Sequence, residues 1–173
     1  ETATYDGTEH TVSGYTATSE SKLFNEELIQ FNGTASVTKT DAGTYAMGLA
    51  AGQFSYDNEN IDVTFSVNDG QLVIGKAAAT ITVANATKTY GEADPTFTGT
   101  VEGLVAEGDL GEISYSRTNE DEEVDTYADV LTANYTANNN YNVTVAAGDF
   151  EITKATMAIS IVGAKPVAAT YDG

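Results

Sequence analysis

The run Leu72-Val73-Ile74-Gly75-Lys76-Ala77, followed by Ile81-Thr82-Val83, returns 78 residues later as Phe150-Glu151-Ile152-Thr153-Lys154-Ala155 followed by Ile159-Ser160-Ile161. Between these anchors Asp41-Ala42-Gly43-Thr44-Tyr45 matches Val124-Asp125-Thr126-Tyr127 at an offset of 82. Likewise Asn60-Ile61-Asp62-Val63-Thr64 matches Asn140-Tyr141-Asn142-Val143-Thr144 at 80. Self-similarity at fixed spacing is the signature of one small unit built more than once, and the drift in offset assigns the insertions to loops. A longer period encloses the shorter one, since Tyr5-Asp6-Gly7 reappears 166 residues on as Tyr171-Asp172-Gly173. The boundary is placed at Lys76-Ala77. It gives module A (residues 1–76), module B (77–154) and a segment, 155–173, read as the first strand of a further A-type repeat.

Both units read as β-structure. Val63-Thr64-Phe65-Ser66-Val67, Ile81-Thr82-Val83, Phe97 to Val101, Ile113-Ser114-Tyr115, Val143-Thr144-Val145 and Ile159-Ser160-Ile161 alternate with period two, so each offers one apolar face for burial. Thr, Val, Ile and Tyr are abundant and suit strands better than helices. Asn68-Asp69-Gly70 and Ala147-Gly148-Asp149 supply the glycines of hairpin turns. One helix is predicted in module A, where Ser21 caps a segment with Leu23, Phe24 and Leu28 roughly on one face. In its place module B has Gly103-Leu104-Val105-Ala106-Glu107-Gly108. The expected fold is two tandem β-rich, β-grasp-like modules (two strands, a short helix, three strands), with all-β immunoglobulin-like sandwiches as the alternative.

Module B opens with Ala79-Thr80-Ile81-Thr82-Val83-Ala84 ahead of Tyr90, and Met157-Ala158-Ile159-Ser160-Ile161-Val162 stands likewise ahead of Tyr171. Nothing equivalent stands before Tyr5. Module A is therefore expected to lack its first strand. Residues 157–162 are expected either to hang free as an apolar edge or to enter the vacant place in another copy by strand exchange.

The pattern Lys88-Thr89-Tyr90-Gly91-Glu92-Ala93-Asp94-Pro95-Thr96-Phe97, with Gly103-Leu104-Val105, Gly108-Asp109, Asp125-Thr126-Tyr127, Asn134-Tyr135, Tyr141-Asn142 and Ile152-Thr153-Lys154-Ala155, resembles the MBG domain of the YGX type. The resemblance covers nearly all of module B. Module A, through Ala3 to Gly7, His10 to Tyr15 and Asp41 to Leu49, is similar to repeats that alternate with such domains in surface proteins of Gram-positive gut bacteria. The resemblance implies an extracellular, cell-surface location on a wall-attached adhesin, mucin-binding adhesins included, and β-grasp-like folds. Any secretion signal or wall anchor is expected outside these residues. Two roles follow as expectations: a stalk or spacer made with neighbouring repeats of the same chain, or direct binding of host mucin glycans or a host surface protein.

Seven Lys and Arg stand against 26 Asp and Glu, a formal charge of −19. Attraction to a polyanion such as nucleic acid is electrostatically opposed. No apolar run approaches the roughly 18 residues of a membrane-spanning helix, so no membrane insertion is expected. The chain has no Cys, hence neither disulfides nor a thiol nucleophile. His10 is the only histidine and lacks the orienting third group of a catalytic triad; with acidic pairs everywhere and no sign of a cleft, no enzyme site is expected. Asp57, Glu59 and Asp62 offer hard oxygen ligands as candidates for calcium, the only cofactor considered, without the spacing of an EF-hand. Lys76, Lys88 and Lys154, near strand ends, invite a Lys-to-Asn or Lys-to-Asp amide crosslink, with surface lysines as the plain reading. Ten Tyr and no Trp leave Tyr as the platform for sugars. Tyr5, Tyr45, Tyr90 and Tyr127 recur in both modules and are read as structural. Tyr15, Tyr56 and Tyr115 recur less and are the candidate ligand contacts.

Overall fold

The structure, a computed structural model, describes residues 2–165, 168 and 170–172. Gly173, which closes the second Tyr-Asp-Gly, lies outside the described residues, as do Glu1, Pro166, Val167 and Ala169. The chain is β-rich. Its first half carries β1 (Thr2–Thr4), β2 (His10–Ser13), β3 (Ile29–Phe31), β4 (Ser36–Lys39), β5 (Gly43–Ala46), β6 (Phe54–Tyr56) and β7 (Gln71–Gly75). Its second half carries β8 (Ala77–Val83), β9 (Ala86–Thr89), β10 (Gly99–Glu102), β11 (Ser114–Arg117), β12 (Thr126–Asn134), β13 (Tyr141–Ala146) and β14 (Gly148–Thr153).

In β8 strict alternation buries Ala77, Ala79, Ile81 and Val83 while the residues between them face water. That strand is central, antiparallel to β10 and parallel to β13. A second sheet runs β11-β12-β14-β9, in which β14 and β9 are parallel. Ile81, Leu131, Phe150, Ile152 and Tyr141 come from both sheets and share one core with Leu110. Gly103 sits at φ +83°, where a Cβ would stand 2.3 Å from the Ala78 carbonyl oxygen, so the chain can cross β8 closely there only as glycine.

Ala147-Gly148-Asp149 does not make a hairpin. It passes the chain from β13 in one sheet to β14 in the other, because Tyr141 and Phe150 must reach the core from opposite sides. β12 carries an irregularity between Tyr127 and Leu131, with Asp129 at φ 55° and its N–H held by Asp149 Oδ1 at 2.9 Å.

Part of this plan recurs in the first half. β7 lies between parallel β1 and antiparallel β5, as β14 lies between β9 and β12. Tyr45 stands opposite Leu72 as Tyr127 stands opposite Phe150. The Tyr5 N–H reaches the Gly75 carbonyl at 2.8 Å, and the Tyr90 N–H reaches that of Thr153 at the same distance. Otherwise the first half is sparse: β2 pairs with β4 and β3 with β6 as separate two-stranded ladders. Among the described residues its buried apolar side chains are Leu72 and Ile74.

Three expectations are corrected here. Val63 to Val67 forms no strand, nor does Ile159 to Ile161, since each lacks a neighbour to complete a ladder. Asn68-Asp69-Gly70 therefore closes no hairpin; the Asp69 carboxylate instead accepts from the Gly48 and Leu49 N–H groups at 2.9 and 2.8 Å. The helix shrinks to a 3-10 turn, Glu26–Leu28, capped by Asn25 rather than Ser21. One reason is local: the Tyr56 hydroxyl accepts from Asn25 N–H and donates to the Leu23 carbonyl, so β6 takes up backbone groups that a longer helix would need. Module B has turns at the corresponding place. No helix among the described residues is long and apolar enough to cross a membrane.

Candidate functional site

The alternation in β3 and β6 turns Phe31 and Phe54 toward each other, 4.9 Å between ring centroids. Tyr15 closes over both at 5.2 and 5.0 Å, and Phe65 extends the row at 5.7 Å from Phe54. Beside this row lies a groove of about 380 Å³. Residues 15–19, Ile61 and residues 63–68 line it, together with Tyr56, Leu23 and Leu49. Hydroxyls of Thr16, Thr18, Ser19, Ser21, Thr64 and Ser66 are interspersed with the aromatic rings. Aromatic faces with wet hydroxyls suit either a sugar ring or another apolar strand.

Two of the three Tyr candidates meet in this groove. Tyr15 is 38% exposed, and Tyr56 is half-buried with its hydroxyl occupied by the Asn25 and Leu23 backbone. Tyr115 is elsewhere. It packs on the module B core, over Gly99, where an added Cβ would stand 2.6 Å from its ring. Phe31, Phe54 and Phe65 were not singled out from the sequence. The alternation of Phe65 with Val63 and Val67 was the available signal, and it was read as ordinary strand core.

The metal candidates do not converge. Asp57, Glu59 and Asp62 are exposed, and the described residues contain no group of three or more His, Asp or Glu placed to hold a metal ion. The nearby polar geometry is an Asn58 turn, with Asn58 Oδ1 accepting from Asn60 N–H at 3.0 Å. His10 Nε2 contacts Asp6 Oδ1 at 3.0 Å. Asp6 in turn accepts from the Thr8 hydroxyl and N–H, and these bonds, with His10 contributing less, lower its pKa to about 2.

Tyr45 and Tyr127 do the same work in both halves. Each hydroxyl donates to the carbonyl four residues upstream, Asp41 at 3.0 Å and Glu123 at 2.9 Å. The model of the MBG domain (YGX type) matches residues 79–151. Residues 79–151 form an MBG domain. No curated protein and no solved structure matches the chain.

Within the MBG domain, motif residues Lys88 and Asp94 form a charge network. Lys88 is 7% exposed; its ammonium donates to Asp94 Oδ1 at 2.8 Å and to Glu122. Arg117 bridges the same acids, Nε to Asp94 at 3.2 Å and Nη2 to Glu122 at 2.6 Å, and its guanidinium lies 5.0 Å from the Phe150 ring centre. Lys88 is thus not the surface lysine of the plain reading. Hydrogen bonds to Asp94 and Glu122 raise its pKa, while bonds from Lys88 and then Arg117 lower that of Glu122. Lys88, Arg117, Asp94 and Glu122 together make one ion-pair network. Lys76 and Lys154 are exposed.

The MBG domain meets module A through Asn140. Its Oδ1 accepts from Ala42 N–H at 2.8 Å and its Nδ2 donates to Asp41 Oδ1 at 2.9 Å. Tyr5 packs edge-on against Tyr141 at 5.5 Å. Tyr141 is buried, accepts from Val105 N–H and donates to Asp109; burial first, then the Asp109 bond, pushes its pKa up.

Proposed function

We propose that the chain is a pair of stalk modules of an extracellular, wall-attached adhesin of a Gram-positive gut bacterium, spacing a distant head from the cell. MBG domains occur in extracellular surface proteins, which supports the location. The observation that carries the stalk role is the joint: Asn140 and Tyr141 on one side, Tyr5, Asp41 and Ala42 on the other, tie successive modules by directional bonds and a ring contact. A spacer needs such joints and an acidic, soluble surface, and it needs no ligand site of its own. The same reading takes each module as β-grasp-like, supported by the parallel pairing of strands near the start and end of the MBG domain.

A second reading, binding of host mucin glycans or a host protein, is favoured by the meeting of Tyr15 and Tyr56 in one groove. Binding of the folded, monodisperse chain to immobilised mucin and a glycan array, with and without millimolar calcium, separates the two. The stalk reading expects no saturable binding in either condition. Saturable binding lost in Tyr15→Ala would overturn it in favour of adhesion through module A.

A further inference from the structure

We propose that the Asn32-Gly33 pair is a site of spontaneous covalent modification, at which the Asn32 carboxamide is lost as ammonia and the chain gains an aspartate or an isoaspartate. The step needs only water and stands whether or not the modules are a stalk. Asn32 is the one asparagine followed by glycine; the others precede Glu, Asp, Asn, Ala, Ile, Val or Tyr. A side chain on the following residue shields its backbone nitrogen, and glycine has none. Asn32 and Gly33 are both exposed, in the connection that leaves β3 for β4. The Asn32 N–H donates to the Gln53 carbonyl at 2.8 Å and so closes the β3–β6 ladder. Among the described residues, neither the Asn32 carboxamide nor the Gly33 N–H has a hydrogen-bond partner. Electrophile and nucleophile are adjacent, solvated and free.

The Gly33 nitrogen gives up its proton to solvent hydroxide, and its electron pair forms a bond to Asn32 Cγ. The bond from Cγ to the side-chain nitrogen breaks, and that nitrogen takes a proton from water and leaves as ammonia. The product is a five-membered succinimide. Water then opens the ring: addition at Cγ gives aspartate, and addition at the backbone carbonyl gives isoaspartate, with Gly33 attached through Cγ. The net exchange is one water in for one ammonia out. Local packing favours glycine at this position. An added Cβ on Gly33 would stand 2.9 Å from both Gln53 Nε2 and Phe31 Cζ, and Gln53 is itself held through Oε1 by the Ala50 N–H at 2.7 Å. Asp6 and Asp69 also precede glycine, but they carry carboxylates already bonded to Thr8 and to the Gly48 and Leu49 N–H groups, and a carboxylate is the poorer electrophile. The modified chain carries one more negative charge beside Phe31. In the isoaspartate form one extra carbon enters the backbone directly after β3, which strains the bond to Gln53 and the Phe31–Phe54 pairing next to it.

The test ages the full chain in mildly alkaline buffer at body temperature and follows its intact mass and tryptic peptides. The peptide of residues 23–39 should gain about 1 Da as a mixture of aspartate and isoaspartate, with fragmentation placing the change at residue 32. The Asn32→Gln variant should show no gain there, and peptides holding the other asparagines should stay unchanged over the same interval. Anion exchange separates the aged fraction by its added charge. In its isoaspartate part, hydrogen exchange should quicken at residues 29–31 and 54–56 and stay as it was in β8 and β14. If residue 32 keeps its amide the proposal fails; conversion of the excised peptide alone would then show that the fold holds the pair out of reach. Conversion spread evenly over several asparagines overturns it too, since nothing would be particular to Asn32-Gly33. Conversion at residue 32 without faster exchange would keep the site and overturn its effect on the ladder.

Discussion

The hydroxyl of Tyr127 donates to the Glu123 carbonyl, and the ring stands opposite Phe150, which is fully buried. Tyr127→Phe keeps the ring and loses the bond, for an expected loss of about 0.5–1.5 kcal/mol in urea unfolding. Phe150→Ala should cost about 3–5 kcal/mol, since it empties the centre of the core beneath Arg117. The charge network supplies a pH signature with a definite sign. Glu122 has a folded pKa below its ordinary 4.5, so its contribution is fully present above that value and is lost as pH falls through the folded pKa. Lys88 is the opposite case: its contribution is present below 10.5 and is lost as pH rises through the raised folded value. In Glu122→Gln the acid-side fall in melting temperature should become shallower and the alkaline fall should remain. At this scale the recurring Tyr45 and Tyr127 were legible as structural because repetition marked them. The roles of Lys88 and Tyr115 were not, because burial of Lys88 depends on Asp94, Arg117 and Glu122 meeting from separate loops and strands, and that of Tyr115 on Gly99 across the sheet.

A strand is a property of two segments, and alternation reports only one of them. Val63-Thr64-Phe65-Ser66-Val67 and Val143-Thr144-Val145 alternate equally well, yet only the second forms a strand, because β8 lies alongside it. The β-rich character was therefore legible from composition and period, while the pairing was legible only through the repeat. Misreading of Ala147-Gly148-Asp149 has the same origin: glycine marks a change of direction without saying whether the next strand stays in the sheet. Hydrogen exchange on the chain should show the difference directly, with amides of residues 62–68 exchanging fast and those of β13 protected. Equal protection of both would mean that residues 61–66 pair with a further segment after all.

Across the whole molecule the joint is short and directional. Asn140 uses its side chain for module A alone, while its own backbone is held by Asn138 within the MBG domain. Asn140→Ala should therefore widen the distribution of inter-module angles in X-ray scattering without moving the melting temperature of the MBG domain. Gly7, at φ +77°, would place a Cβ 2.8 Å from Val105 Cγ1, so Gly7→Ala should disturb the same joint. The parallel ladder of β9 with β14 carries a mechanical meaning. Because β9 and β14 run parallel, traction that draws the start of β9 and the end of β14 apart slides Ala86 to Thr89 past Phe150 to Thr153. All the bonds of the ladder then resist in shear at once instead of parting one by one. β1 with β7 repeats the arrangement in module A, so a tether built of such units would hold its length under flow until a whole clamp gives way.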